Sequence, residues 1–268
     1  MLLHFTKMNG AGNDFVVVDN RRGELALSCE TIASLCDRHR GVGADGLLAV
    51  EPAQNGADFR MRYYNADGGE AEMCGNGARC FARYAGRLAG FAERISFETI
   101  AGTIRAEFVG THVRLFMSEP QGLRLRESVA LANATLTVHS VNTGVPHAVV
   151  VVEDLEAVPV KEYGAGIRFH EHFAPRGTNA NFIAPVDART IAIRTYERGV
   201  EDETLACGTG VVASALIFHE LTGASSPIGV RVRGGDTLNV GFTGARGAYQ
   251  NVTLTGPADF VFDGVIAI

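Results

Sequence analysis

The 268-residue sequence predicts an α+β fold made of two similar halves. Three observations predict it. Short β-branched or alternating runs are numerous, helical periodicity is confined to three segments, and one strand–acidic loop–glycine turn–helix unit occurs twice. In chain order the strand-like runs are Phe15–Val18, Phe59–Tyr64, Thr103–Phe108, Val113–Met117, Thr135–Val141, Ala148–Val152, Thr190–Tyr196, Thr237–Phe242 and Asn251–Thr255. The helical patterns are Cys29–His39, Gly75–Leu88 and Gly208–Leu221, the last closed by Thr222-Gly223 in the manner of a C-cap. The turn-like stretch Ser118-Glu119-Pro120-Gln121-Gly122 marks a crossing between the halves.

Composition narrows the function classes. A content of 46% hydrophobic and 20% charged residues is ordinary for a globular protein with sizeable cores. The formal charge of −6 and the lack of any Lys/Arg-rich run argue against a nucleic-acid groove or an anionic membrane surface, which leaves a small-molecule site. The opening MLLHFTKMNG has neither the basic start nor the apolar stretch of a signal peptide, and no segment approaches the ~20 apolar residues of a membrane span. A cytoplasmic protein is the expectation. Its five cysteines, at 29, 36, 74, 80 and 207, are then thiols rather than a disulfide framework.

The repeated unit carries the chemistry. In the first half, the strand ending at Tyr63-Tyr64 leads through the acidic loop Asn65–Met73 into Cys74-Gly75-Asn76-Gly77 and a helix. In the second, the strand ending at Thr195-Tyr196 leads through Glu197–Ala206 into Cys207-Gly208-Thr209-Gly210 and a helix. A glycine turn entering a helix presents backbone N–H groups that lack intrahelical acceptors, at the positive end of a dipole worth about half a charge. Anions bind there, and a cysteine at that position has its thiolate favoured, with a pKa moved from ~8.5 toward the ~3.5–7.5 range. Glycines beside each cysteine let backbone approach a ligand closely. Two such turns acting together could hold one carboxylate and place a thiol on each face of the adjacent carbon, which is what stereoinversion requires. A single Cys-Gly pair before a helix reads more readily as a capping turn with a buried thiol; duplication in matching contexts reverses that preference. Cys80 lies six residues into its helix and is assigned to the core. Cys29 and Cys36, seven apart on one helix face, are assigned to packing.

These residues resemble the diaminopimelate epimerase family. Lys7-Met8-Asn9-Gly10-Ala11-Gly12-Asn13-Asp14-Phe15 is similar to its N-terminal signature, and Asn65-Ala66-Asp67-Gly68 with Met73-Cys74-Gly75-Asn76-Gly77-Ala78-Arg79-Cys80 to its first cysteine motif. Tyr196-Glu197-Arg198-Gly199 and Ala206-Cys207-Gly208-Thr209-Gly210 resemble the second. The resemblance implies two similar α/β domains, each a curved sheet wrapped around a central helix, with the active site in the cleft between them. It places the N-terminal domain at 1–118, joined by a returning strand at about 258–268, and the C-terminal domain at 119–257. It implies interconversion of LL- and meso-2,6-diaminoheptanedioate by a homodimer without pyridoxal phosphate or metal; lysine occurs only at 7 and 161, giving few Schiff-base candidates.

Position by position, the resemblance makes Cys74 and Cys207 the catalytic pair, with the amides of Gly75, Asn76, Gly208 and Thr209 holding the reacting carboxylate. Asn13, Asn65, Asn179, Glu197 and Arg198 match substrate-contacting positions, and His147 and Glu197 match positions that tune the thiols. The chain departs from the family pattern at Val145, where many relatives carry Asn, and at Gly46, where some carry Gln. Its loop from Glu197 to Cys207 also looks one residue longer. A related racemase of histidine or a hydroxyproline would share the thiol pair without the distal contacts. A phenazine-type isomerase would share the fold but lack the paired cysteines. A zinc or thiol-redox protein would need ligand spacing that is absent, since no C-x-x-C occurs.

Overall fold

The computed structural model describes residues 1–71, 73–91, 93–245 and 247–268. Glu72, in the first acidic loop, lies outside the described residues. The chain forms two compact units, Met1–Leu115 with Gly256–Ile268, and Phe116–Thr255.

The first unit contains β1 (Leu2–Gly10), β2 (Asn13–Asp19), α1 (Cys29–Cys36), β3 (Gly46–Glu51), β4 (Phe59–Asn65), β5 (Glu70–Ala71), α2 (Gly75–Ala89), β6 (Arg94–Thr99), β7 (Gly102–Val109) and β8 (His112–Phe116). The second contains β9 (Gln121–Ala130), β10 (Thr135–Asn142), β11 (Pro146–Val151), α3 (Val160–Arg168), β12 (Asn179–Asp187), β13 (Thr190–Glu197), β14 (Asp202–Thr204), α4 (Gly208–Thr222), β15 (Ile228–Arg231), β16 (Thr237–Ala245) and β17 (Ala248–Pro257). The closing strand β18 (Asp259–Ala267) pairs antiparallel with β1 and completes the first unit.

Pairing shows that the two units are one topology used twice. In the first, β18 and β2 flank β1 antiparallel, β2–β3 is parallel, β3–β4 antiparallel, β4–β6 parallel, and β6–β7 and β7–β8 antiparallel. The second repeats this sense for sense from β9 to β17, with β11–β12 and β13–β15 as its parallel pairs. β18 therefore does in the first unit what β9 does in the second. Each parallel step needs a crossover. The steps from β2 to β3 and from β11 to β12 run through α1 and α3; those from β4 to β6 and from β13 to β15 run through α2 and α4.

Alternation along the inner strands decides what each helix meets. Val16 and Val18 of β2 and Leu47 and Ala49 of β3 share a core with Ile32 and Leu35 of α1, while Phe15 and Leu48 of the same strands lie against Gly77 of α2. In the second unit Ala148, Val150, Ala180 and Phe182 pack with Val160 and Ile167 of α3. The other face of those strands lies toward α4, with Asn181 and His147 against Gly210. Strands covered on both faces have no polar side, so Val16-Val17-Val18 and Ala148-Val149-Val150 read as unbroken runs. α4 is buried from Gly210 through Phe218, as a helix enclosed by a sheet must be.

The strand-like runs of the sequence omit β1, β3, β5, β6, β9, β12, β14 and β15, and three further differences have local causes. α1 ends at Cys36 rather than His39, because the Asp37 carboxylate accepts the N–H groups of His39 and Arg40 at 2.7 and 2.9 Å and turns the chain. Helix α3 is absent from the periodic segments: Gly164 and Gly166 dilute its apolar stripe. Gly164 is nevertheless required, since a Cβ there would lie 2.3 Å from Tyr196 Cβ. Cys29 is exposed at the first position of α1 and is not a packing residue; only the Cys36 end of that helix reaches the core.

Candidate active site

Each unit presents the same backbone device. Cys74 and Cys207 are N-cap residues with extended backbone, φ/ψ of −133/123° and −118/109°, and their carbonyls accept the first intrahelical bonds, from Ala78 at 2.7 Å and Val211 at 2.9 Å. The next residues are the first turns of α2 and α4, whose amides have no acceptor within the helix. Both helices run for 15 residues and stop at a left-handed glycine, Gly90 or Gly223. A short antiparallel ribbon precedes each cysteine: Tyr63 and Tyr64 pair with Ala71 and Glu70, and Thr195 to Glu197 pair with Thr204 to Asp202.

The side chain after the first glycine is anchored differently in each unit. In the first, Asn76 is buried, and its Nδ2 donates to Asn13 Oδ1 at 2.6 Å. Its Oδ1 accepts from Nη2 of Arg79 at 2.8 Å. Arg79 is fully buried, and it also donates to the carbonyls of Pro257, Gly75 and Gly10 at 3.1, 3.4 and 3.5 Å. Asn13 passes the network outward through Nδ2 to Asp45 at 2.9 Å, and Asp45 meets Arg38 at 2.8 Å. Arg38 and Lys7 both pair with Asp14 at 2.8 Å. Burial would raise the Asp14 carboxyl, but hydrogen bonds and charges from Arg38 and Lys7 win and hold it at about 2. The Lys7 ammonium thus serves an ion pair and the Gly43 carbonyl.

In the second unit the residue after the first glycine is Thr209. Its Oγ1 lies 2.9 Å from His147 Nε2 and 3.6 Å from Cys207 Sγ, and its carbonyl accepts from Thr143 at 2.9 Å. Burial and then the Arg198 charge push the His147 imidazole down to about 3, so the ring is neutral. Burial raises the Glu197 carboxyl, against a 2.8 Å hydrogen bond from Thr204. Asn179, at the start of β12, donates to the Pro146 carbonyl at 3.0 Å and accepts the Arg198 N–H at 2.8 Å, so its amide positions Arg198. Asn65 is exposed at the end of β4, with its side-chain Oδ1 accepting from the Tyr63 hydroxyl at 2.9 Å. Among the described residues no group of three or more His, Cys, Asp or Glu is arranged to hold a metal ion, and no helix is long and apolar enough to cross a membrane.

Comparison with known proteins decides the family. The diaminopimelate epimerase profile matches residues 5–121 and 139–261. The diaminopimelate epimerase of Aquifex aeolicus is 42% identical, over 98% of this chain and 97% of its own. That of Chlorobaculum tepidum is 43% identical, over 97% of this chain and 100% of its own. The chain belongs to the diaminopimelate epimerase family. Two solved structures at 17% identity share the fold: a Bacillus anthracis phenazine biosynthesis protein of the PhzF family, with a TM-score of 0.73 and full coverage of both chains, and an Agrobacterium vitis hydroxyproline epimerase, with a TM-score of 0.71 over 100% of this chain and 93% of that one.

Within this member of the family, the departure at Gly46 has a packing reason. A Cβ there would lie 2.4 Å from the Tyr64 carbonyl oxygen and 2.9 Å from the Tyr63 ring, so the ring occupies the place of a side chain. Cys80 is buried with its thiol pushed up to about 12, and Cys36 to about 11, both chiefly by burial. Neither thiol ionises near neutrality. Sequence reasoning missed Arg79 and Asn181. Arg79 stands amid the small residues of α2, and Asn181 two residues past Asn179 on one strand face; a charged or amide group inside an otherwise apolar segment was the available signal.

Proposed function

We propose that the protein is a diaminopimelate epimerase that interconverts the LL and meso isomers by two-base proton transfer, with Cys74 and Cys207 as the proton carriers on opposite faces of the α-carbon. The observation that carries this reading is the repetition of one cysteine-capped helix N-terminus at the same topological position of two matching units. In it, the amides of Gly75 and Asn76 and of Gly208 and Thr209 hold the reacting carboxylate, and the two helix dipoles favour the negative charge that grows there as the α-proton leaves. Asn13, Asn65, Asn179, Glu197 and Arg198 frame the rest of the substrate. Asn13 and Asn179 do so with amides partly engaged inside the protein, and Arg198 offers a forked donor for the distal carboxylate. A neutral His147 on one side and a carboxyl with a raised pKa, Glu197, on the other adjust the thiols.

The test is incubation of the reduced protein with LL-diaminopimelate, chromatographic separation of the isomers, and parallel incubations with L-histidine and trans-4-hydroxy-L-proline. The expected result is approach to an LL/meso mixture with no turnover of the other two. Turnover of histidine or hydroxyproline in place of diaminopimelate would transfer the chemistry to a different amino acid. The lack of a polar side chain at Gly46 is the feature that gives that second outcome weight.

A further inference from the structure

We propose that Asn181 is a positioning residue: it sets the tautomer of His147 and thereby turns the Thr209 hydroxyl proton toward the sulfur of Cys207. Asn181 is fully buried on β12, on the strand face that meets the start of α4. Its amide orientation is fixed from both ends. Oδ1 accepts from the Thr195 hydroxyl at 3.0 Å, and Nδ2 donates to the Ala148 carbonyl at 3.0 Å. The same Nδ2 lies 3.2 Å from His147 Nδ1, and an amide nitrogen only donates, so its second hydrogen goes to that ring nitrogen. Nδ1 must then be the unprotonated nitrogen of a neutral ring, and Nε2 carries the proton.

The consequence propagates. Nε2–H donates to Thr209 Oγ1 at 2.9 Å, so the threonine oxygen is the acceptor in that pair and its own hydrogen is directed to its other neighbour, Cys207 Sγ at 3.6 Å. Every link runs one way, from the amide of Asn181 to the thiol sulfur. A hydroxyl donating to sulfur stabilises thiolate over thiol. With the opposite tautomer, Nε2 would accept from Thr209 and the sulfur would lose this hydroxyl donor. The site is also built around Asn181: a Cβ on Gly210 would lie 2.4 Å from Asn181 Oδ1 and 3.4 Å from His147 Cε1, so the second glycine of Cys207-Gly208-Thr209-Gly210 admits this pair beneath the helix. Neutral His147, with its ionisation suppressed by burial and by Arg198, keeps the direction unchanged across the working pH range.

This rests on reading Cys207 as an acid–base thiol, and it is tested without substrate so that the two can fail separately. With reductant present, ring-¹⁵N histidine NMR reads the His147 tautomer, and the pH dependence of iodoacetamide alkylation, followed on the Cys207 peptide by mass spectrometry, reads its thiol pKa. The expected wild-type signals are an unprotonated Nδ1 and a protonated Nε2 that do not titrate between pH 5 and 8. Asn181→Leu should introduce the Nδ1–H tautomer. Asn181→Leu and Thr209→Val should each raise the Cys207 pKa by about one unit, the loss of one charge-assisted hydrogen bond. The double variant should rise no further than either alone, and Thr209→Ser should restore the wild-type value. Should Asn181→Leu not fold, the wild-type tautomer and the Thr209 pair still decide. A protonated Nδ1 in the wild type, an unchanged Cys207 pKa in Thr209→Val, or additive shifts in the double variant would overturn the proposal.

Discussion

At the third position of its glycine turn the first unit carries Asn76, whose amide is held between a buried guanidinium and Asn13; the second carries Thr209, whose hydroxyl is held by a neutral imidazole. The backbone is the same in both: an extended cysteine cap, a first helical turn, and a left-handed glycine 16 residues after the cap. Beneath it the electrostatics differ. Five residues past Cys74 stands Arg79, a permanent cation out of contact with water; five past Cys207 stands Val212. In the first unit a fixed positive charge lies under the helix start, and in the second a threonine hydroxyl lies 3.6 Å from the sulfur. The repeated unit keeps one backbone geometry while the groups beneath it differ. A two-base epimerase needs that asymmetry, because one thiol must arrive charged and the other protonated.

The largest expected effect is on turnover. Cys74→Ala or Cys207→Ala should each lower epimerisation by at least roughly 10²–10⁴-fold, the typical worth of one positioned proton carrier, with an unchanged far-ultraviolet spectrum. Near-normal turnover from either variant would make the two sites unequal in a way the proposed mechanism does not allow. Next is Arg79→Met, which leaves the Asn76 oxygen and three carbonyls without their buried donor and should cost about 3–5 kcal/mol in denaturant unfolding. Val212→Ala removes only apolar volume and should cost about 1–3 kcal/mol. Equal losses would show that the cation is not what organises the first site.

The third effect depends on pH. Unfolded His147 takes up a proton below its ordinary value of 6.5, whereas folded His147 stays neutral down to about 3, so the unfolded state binds more protons in that window and stability falls with acid. The slope from this one residue is at most on the order of 1.4 kcal/mol per pH unit. Urea unfolding at pH 7 and pH 4.5 should therefore show a smaller acid loss in His147→Gln than in wild type. Asp14, held at about 2, titrates below this window. An identical loss in both proteins would place the neutral imidazole elsewhere than the buried pocket described here.

The smallest effect separates two glycines that look alike in the sequence. Gly210→Ala drives a methyl group to within 2.4 Å of Asn181 Oδ1 and should cost about 1–3 kcal/mol. Gly77→Ala meets Leu48 and Phe15 at an ordinary 3.4 Å and should be neutral or stabilising by up to about 1 kcal/mol, through helix propensity. The thermal midpoint should fall in Gly210→Ala and should not fall in Gly77→Ala.

That contrast also marks how far the sequence could be read. The cysteine turns were legible because a glycine-rich helix start has a local signature, and both long helices begin where the motif begins. Of the inner strands, β2 and β11 were legible as apolar runs, whereas β3 and β12 were not among the runs read. α3 was not, because two glycines that admit Tyr196 and Leu131 interrupt its stripe. The glycines of the turns were read as making room for ligand, yet Gly210 makes room for Asn181. Such packing comes from a strand 29 residues earlier, and no local pattern reports it. Asn13, Asn76 and Asn179 were named as candidate site residues, and their membership of internal networks was not legible, since an amide's partners depend on which strands become neighbours.

The central claim, that each unit supplies one proton carrier to one face of the substrate carbon, is tested most directly by the first label to enter product. LL-diaminopimelate is incubated in deuterated water, the reaction is stopped at low conversion, and each isomer is separated and weighed by mass spectrometry. The donor thiol exchanges with solvent before substrate arrives, so the account predicts one deuterium in nearly all of the early meso product and little in the recovered LL isomer. Substantial protium in the early product, beyond what residual light water explains, would mean that one group removes and returns the same proton, and would contradict the assignment of Cys74 and Cys207 to opposite faces.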